Sequence, residues 1–100
     1  MNDRELLELA AKAAGEPYFE HAPEGGLYLS NGEDWNPLTE DGDAFRLAVR
    51  LLFEIDMGRG CVAIRHSTGI KILEAFNHDP YAATRRAIVR AAAEIGRNMK

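Results

Sequence analysis

The sequence predicts an α+β domain, a single α/β sandwich over residues 1–100 in the order αββαββα, with three helices, a mainly antiparallel sheet and room for an extra strand. Three observations carry that prediction. Segments at both ends and in the middle of the chain repeat apolar residues at helical spacing behind capping signals. The run "FEIDM" at 53–57 alternates apolar and acidic residues with the period of two that a strand requires. Short β-prone pieces elsewhere are punctuated by Pro-Glu-Gly-Gly, Ser-Asn-Gly and Gly-Arg-Gly turn signals.

The first helix is expected from "NDRELLELAAKAAGEP", with Asn2 as N-cap, Glu5 at the capping-box position, Gly15 as its stop and Pro17 beyond. Leu6, Leu9, Ala10 and Ala13 share one side, and Arg4, Glu8 and Lys12 are spaced for i,i+4 pairs on the other. A hairpin follows, built from β-prone pieces at 18–20, 27–30 and 33–36.

The stretch "DWNPLTEDGDAF" raises the question of a metal loop. In an EF-hand the glycine is sixth, with oxygen ligands at the first, third and fifth positions and a glutamate at the twelfth. Gly42 in sixth place puts Pro37 first and Ala48 twelfth, and Gly32 in sixth place puts Leu27 first and Leu38 twelfth, so both registers fail. Thr39, Asp41 and Asp43 read instead as N-cap candidates and first-turn acids, which complement the positive end of a helix dipole. The helix they open, residues 43–52, is polar only at Asp43, Arg46 and Arg50, which predicts the most buried helix of the fold, with Ala48 in its core.

In "FEIDM", Phe53, Ile55 and Met57 oppose Glu54 and Asp56, so this strand has one wet face. "CVAIRHS" is apolar on both sides at its start and belongs nearer the centre of the sheet, and "IKILEAF" extends the sheet after a Thr68-Gly69 turn. The last helix takes Asp79 as N-cap and Pro80 at its first position, and runs to Ile95 before Gly96. Projection gathers Tyr81, Thr84, Ile88, Ala91, Ala92, Ile95 and Met99 on one side, and Arg86, Arg90 and Arg97 on the other. Arg85 falls about 40° from Tyr81 and about 20° from Ala92, on the apolar side, so it is expected to be partly buried against a carboxylate or carbonyl oxygens. "DAFRLAV" and "YAATRRAIV" echo one another and each follows a strand pair, which points to two ββα units after the first helix.

Composition narrows the function classes. At 100 residues, 46% hydrophobic and 28% charged, the chain matches one soluble globular domain. The lone Cys61 permits no internal disulfide and reads as a small buried hydrophobe. The first residues do not resemble a signal peptide and no run approaches the ~20 apolar residues of a bilayer span, so a cytoplasmic location without membrane partners is expected. The net charge of −4 divides into 4 basic against 11 acidic side chains in residues 1–50, and 8 against 5 in residues 51–100. A non-specific nucleic-acid binder normally carries a basic surplus instead.

The combination of "WNPLTEDGDAFRLAV" (35–49) with "DPYAATRRAIVRAAAEIG" (79–96), behind "MNDRELLELAAKAAG", resembles a family of small phage and prophage proteins described as the phage ABA-sandwich domain. The resemblance spans nearly the whole chain and is strongest in the helices and the Trp-Asn-Pro-Leu segment. It implies an α/β sandwich and a phage or prophage origin in a bacterial host. The family name implies helices on both faces of the sheet, whereas the Glu54/Asp56 alternation implies a strand with a wet face, and an edge strand beyond the helical cover reconciles the two. No activity, cofactor or catalytic residue comes with the resemblance.

The residues themselves assemble no nucleophile, base and orienting group, no phosphate-binding glycine loop and no ligand spacing among His21, His66 and His78. A non-enzymatic protein-binding module without cofactor or metal is therefore expected, with a host or phage protein as partner and nucleic-acid binding by the last helix as the alternative. The candidate interaction surface is the Arg86, Arg90, Arg97 stripe together with Trp35, although an indole more often buries its large apolar area. A chelator is expected to leave the melting temperature unchanged. A drop of several degrees, restored by calcium or zinc, would show that the acidic stretch holds a metal.

Overall fold

The structure is a computed structural model that describes residues 1–99 and, among them, every side chain but that of Phe19. Helix α1 (Asp3–Ala14) starts as its sequence dictates. Asn2 Oδ1 accepts from the Glu5 amide at 2.9 Å, Glu5 Oε1 accepts from the Asn2 amide at 3.4 Å, and Gly15 closes the helix at φ 69°. A meander of β1 (Tyr18–His21), β2 (Leu27–Leu29) and β3 (Asp34–Trp35) leads into α2 (Asp41–Arg50). A second meander of β4 (Glu54–Met57), β5 (Cys61–Arg65) and β6 (Lys71–Ala75) leads into α3 (Pro80–Arg97).

The α+β class is as expected, but the order is αβββαβββα and the sheet is in two pieces, β1-β2-β3 and β4-β5-β6, both antiparallel. Within each meander consecutive strands pair across short turns, and no strand of the first pairs with one of the second. The echo between the chain's two halves is therefore realised as two meander-then-helix units.

Helix α3 is the centre of the fold. It buries Ala83, Ala87, Ile88, Val89, Ala91, Ala92, Ala93 and Gly96 over a broad arc, and packs against α1, α2, β5 and β6. Its contact with α1 is the most extensive between any two elements. The predicted stop at Ile95 is not observed, since the helix continues through Gly96 to Arg97. Gly96 is there for space, because a Cβ at this position would lie 2.0 Å from the carbonyl oxygen of Leu9. Tyr81, in the first turn of α3, and Met99, beyond its last residue, fall on the projected apolar side but are exposed.

Helix α1 buries Leu6, Leu7, Ala10, Ala11 and Ala14, with Leu9 and Ala13 only half-buried, an arc rotated from the one expected. Its second flank meets the first sheet. Glu8 leaves the predicted pairs with Arg4 and Lys12 to accept a hydrogen bond from the Tyr18 hydroxyl at 3.0 Å and approach His21 Nε2 at 3.4 Å, and Lys12 donates to the Met99 carbonyl at 3.0 Å. Tertiary partners have replaced intrahelical ones.

Helix α2 is not the most buried helix. Only Ala44, Leu47 and Ala48 are buried, Ala48 at 3% exposure as expected, while Phe45 and Val49 face solvent. Its N-cap is Glu40, which makes no side-chain cap, because the three predicted capping candidates work elsewhere. Asp43 accepts from the Asn36 amide at 3.0 Å and from Arg46 at 2.7 Å, Asp41 pairs with Arg85, and Thr39 turns back on the Asn36 carbonyl. In the second sheet the central place of β5 is as expected, but the single wet face foretold for β4 is not observed, because Ile55 and Met57 are exposed as well as Glu54 and Asp56. β5 is central and buries Val62, Ala63 and Ile64, and β4 is an exposed edge. Helical cover lies over the Val62/Ile64 face alone, leaving Leu73 and Cys61 exposed on the other. Cys61 shares the parity of Ala63 and Arg65, so it is no core residue.

Arg85 is anchored as its position required. Its side chain is 18% exposed, Nε donates to the Leu38 carbonyl at 2.9 Å and a terminal nitrogen donates to Asp41 at 2.6 Å. Because Asp41 is itself 70% exposed, the ion pair contributes little and the Leu38 contact carries most of the anchor. Arg85→Ala should lower stability by more than ~1 kcal/mol in a denaturant titration. Gly96→Ala should cost roughly 1–3 kcal/mol from overpacking against Leu9 despite the better helix propensity. Gly60→Ala, where an added Cβ meets nothing within 4 Å, is the control and should be near neutral.

Candidate interaction surface

The four residues singled out by sequence do not form a common surface. Trp35 is 8% exposed, its indole packed in the core. Arg86 donates to Asp3 at 3.1 Å and Arg97 to Glu94 at 3.1 Å. Arg90 pairs with Glu74 and also donates to the Leu73 carbonyl at 3.3 Å. Each arginine of the stripe already has a carboxylate, which relieves the like-charge spacing of Arg86 and Arg90.

The prominent surface is apolar and was not singled out. On α2, Phe45 and Val49 share a face at i,i+4 spacing, exposed by 66% and 56%. One turn on, Leu52 is 82% exposed. Across from Phe45 stand Ile55 and Met57 of β4, and Tyr81, Thr84 and Ile88 of α3 close the far wall. Together these side chains bound a groove of about 530 Å³ with the Arg85–Asp41 pair at its rim. The Thr84 hydroxyl donates to the Pro80 carbonyl at 2.7 Å and lies 3.9 Å from the Met57 sulfur, where α3 approaches the strand.

The strand register explains why Ile55 and Met57 are there. They pair with Ile64 and Val62, so they share the sheet face that α3 covers, but on the edge strand they are left exposed by 40% and 54%. The Gly58 amide donates to the Cys61 carbonyl at 2.8 Å, and antiparallel ladders alternate, so Asp56 and Glu54 turn their backbone groups toward β5. The backbone groups of Ile55 and Met57 therefore point away from the sheet, along an open edge.

Leu52 carries backbone strain as well as exposure. It occupies the left-handed region at φ 59° as the residue after the Leu51 C-cap. The Phe53 amide bonds the Ala48 carbonyl at 3.0 Å and the Leu52 amide bonds the Val49 carbonyl at 3.1 Å, which is a complete Schellman closure with leucine where glycine is favoured.

One signal could have disclosed this surface. A helix polar at only three positions reads as deeply buried, but a domain of this size has one core and α3 already occupies its centre. No group of three metal-ligating side chains occurs among the described residues, and His66 is engaged by Thr68 at 2.8 Å. No helix among the described residues is long and apolar enough to cross a membrane.

No family model, no curated protein and no solved structure matches the chain.

Leu52→Gly should raise stability by roughly 0.5–1 kcal/mol, since glycine enters the left-handed region without a Cβ clash. Chemical denaturation of the two proteins checks it, and a loss of stability would show that Leu52 packs for folding after all.

Proposed function

We propose that the chain is a non-enzymatic protein-binding module whose contact surface is the apolar groove between α2, β4 and the start of α3. The observation that carries this reading is the contiguous exposure of Phe45, Ile55, Met57 and Tyr81, with Val49 and Leu52 alongside. Apolar surface kept out of the core and gathered at one place is the signature of a contact site. Aromatic and methionine side chains are the types enriched in such sites.

The resemblance in the helices and the Trp-Asn-Pro-Leu segment supports a narrower form of the reading: a small phage or prophage accessory protein that meets a host or phage protein in the bacterial cytoplasm. The nucleic-acid alternative rests on the Arg86, Arg90 and Arg97 stripe, and it is weakened by the carboxylates that those arginines already engage.

The double variant Phe45→Ser/Tyr81→Ser tests the reading. Both side chains are largely solvated, so stability should move by only about 0.5 kcal/mol per site. Proteins captured from phage-infected host cells by the parent should be lost from the variant. Capture unchanged by the variant would overturn the groove as the contact surface. Binding of a short DNA or RNA that falls steeply with added salt, and falls further with Arg86→Ala/Arg90→Ala, would favour the alternative.

A further inference from the structure

The two edges of the second sheet are treated differently. On β6, the alternation that turns Glu74 and Ile72 toward β5 sends the Leu73 carbonyl outward, and there Arg90 donates to it at 3.3 Å while pairing with Glu74. A charged side chain laid on outward backbone groups blocks further strand pairing. On β4 no side chain caps the outward groups of Ile55 and Met57 among the described residues, and the same two residues send their side chains into the groove. An open ladder thus runs beside an apolar trough.

The other side of β4 sets the charge of what can pair there. Glu54 and Asp56 project from the uncovered face and are exposed. Asp56 accepts from Arg65 at 3.1 Å, whereas Glu54 has no ion-pair partner among the described residues. A second copy of the chain fits badly. Antiparallel self-pairing must match outward groups with outward groups. Centred on Ile55 it sets Glu54 against Asp56, and with Ile55 opposite Met57 it sets Asp56 against Asp56. Both place like charges directly across the new ladder.

We propose that the β4 edge is a strand-addition site that takes an extended segment of a partner protein in which apolar residues alternate with lysine or arginine. This rests on the binding-module reading and gives it a mode. The apolar residues of the segment enter the groove against Phe45, Ile55, Met57 and Tyr81, and the basic ones lie opposite Glu54 and Asp56. The backbone bonds to Ile55 and Met57 supply affinity without sequence preference, and the two faces of the strand supply the preference.

The test selects displayed random peptides of about ten residues, long enough to form one strand, on the intact protein. Synthetic copies of the winners are then measured against variants. The expected winners alternate apolar with basic residues, protect the Ile55 and Met57 amides from hydrogen exchange, and bind roughly tenfold more weakly to Glu54→Lys. Met57→Pro removes one outward donor at an edge position where proline is tolerated, and should weaken binding comparably at an unchanged melting temperature. If Met57→Pro does not fold, the amide protection decides in its place.

Winners that need Phe45 and Tyr81 but are indifferent to Glu54→Lys and leave both amides unprotected would overturn strand addition and leave the groove reading standing. Winners indifferent to Phe45→Ser/Tyr81→Ser would overturn both. A dimer in sedimentation that protects the same two amides without any peptide would also overturn the proposal, with a second copy as the occupant.

Discussion

The closeness of α1 to α3 is the constraint on which the rest of the structure depends. It is made possible by small residues: Ala10, Ala11 and Ala14 on one helix, Ala87, Ala91, Ala92 and Gly96 on the other, with the Leu9 carbonyl in the space a Cβ would take at Gly96. Backbones that approach this far bring many atoms within dispersion range, and alanine loses no side-chain entropy on burial. Because α3 is thereby committed to α1 along one flank and to β5 and β6 along another, α2 is left with a narrow strip. That strip accepts Ala44, Leu47 and Ala48 and nothing wider. The exposed row on α2 follows from the α1–α3 contact.

Charge is distributed to the same end. The acidic first half and the basic second half meet in the fold, where Arg86 reaches back to Asp3 and Arg85 to Asp41 and the Leu38 carbonyl. Within the acidic half, Arg50 reaches Glu16 at 2.8 Å and ties the end of α2 to the loop after α1. Most of these pairs are solvated and each contributes little. Their effect is on register: they fix where α3 starts relative to α1 and α2, and so where Tyr81 and Thr84 stand relative to β4.

Local chemistry was legible in the sequence and three-dimensional allocation was not. The capping box at Asn2 and Glu5, the Asp79 cap, the centrality of "CVAIR", the edge character of "FEIDM" and the anchored Arg85 all follow from spacing and burial cost, and all are observed. Gly96 misled because a glycine near a helix end reads as a stop, when here it serves a crossing that depends on Leu9, far away in sequence. Cys61 misled because apolar neighbours at 62–64 hide the parity that puts it on the uncovered face. The groove was hidden by a related ambiguity. Apolar residues around a helix report how much surface could be buried, and only the competition among helices for one core decides how much is.

That competition leaves a residue whose presence folding does not explain. Leu52 stands in the left-handed region at φ 59°, where glycine costs nothing, and it is 82% exposed, so it has little burial to offset the strain. In a Schellman closure the hydrophobic contact falls to the next residue, here Phe53, which packs against the core. Leu52 itself links the helix that carries Phe45 to the strand that carries Ile55 and Met57. The strain at Leu52, the uncapped edge of β4 and the unfilled side of α2 belong to one arrangement, in which the fold completes its core around α3 and leaves the α2–β4 flank open to solvent.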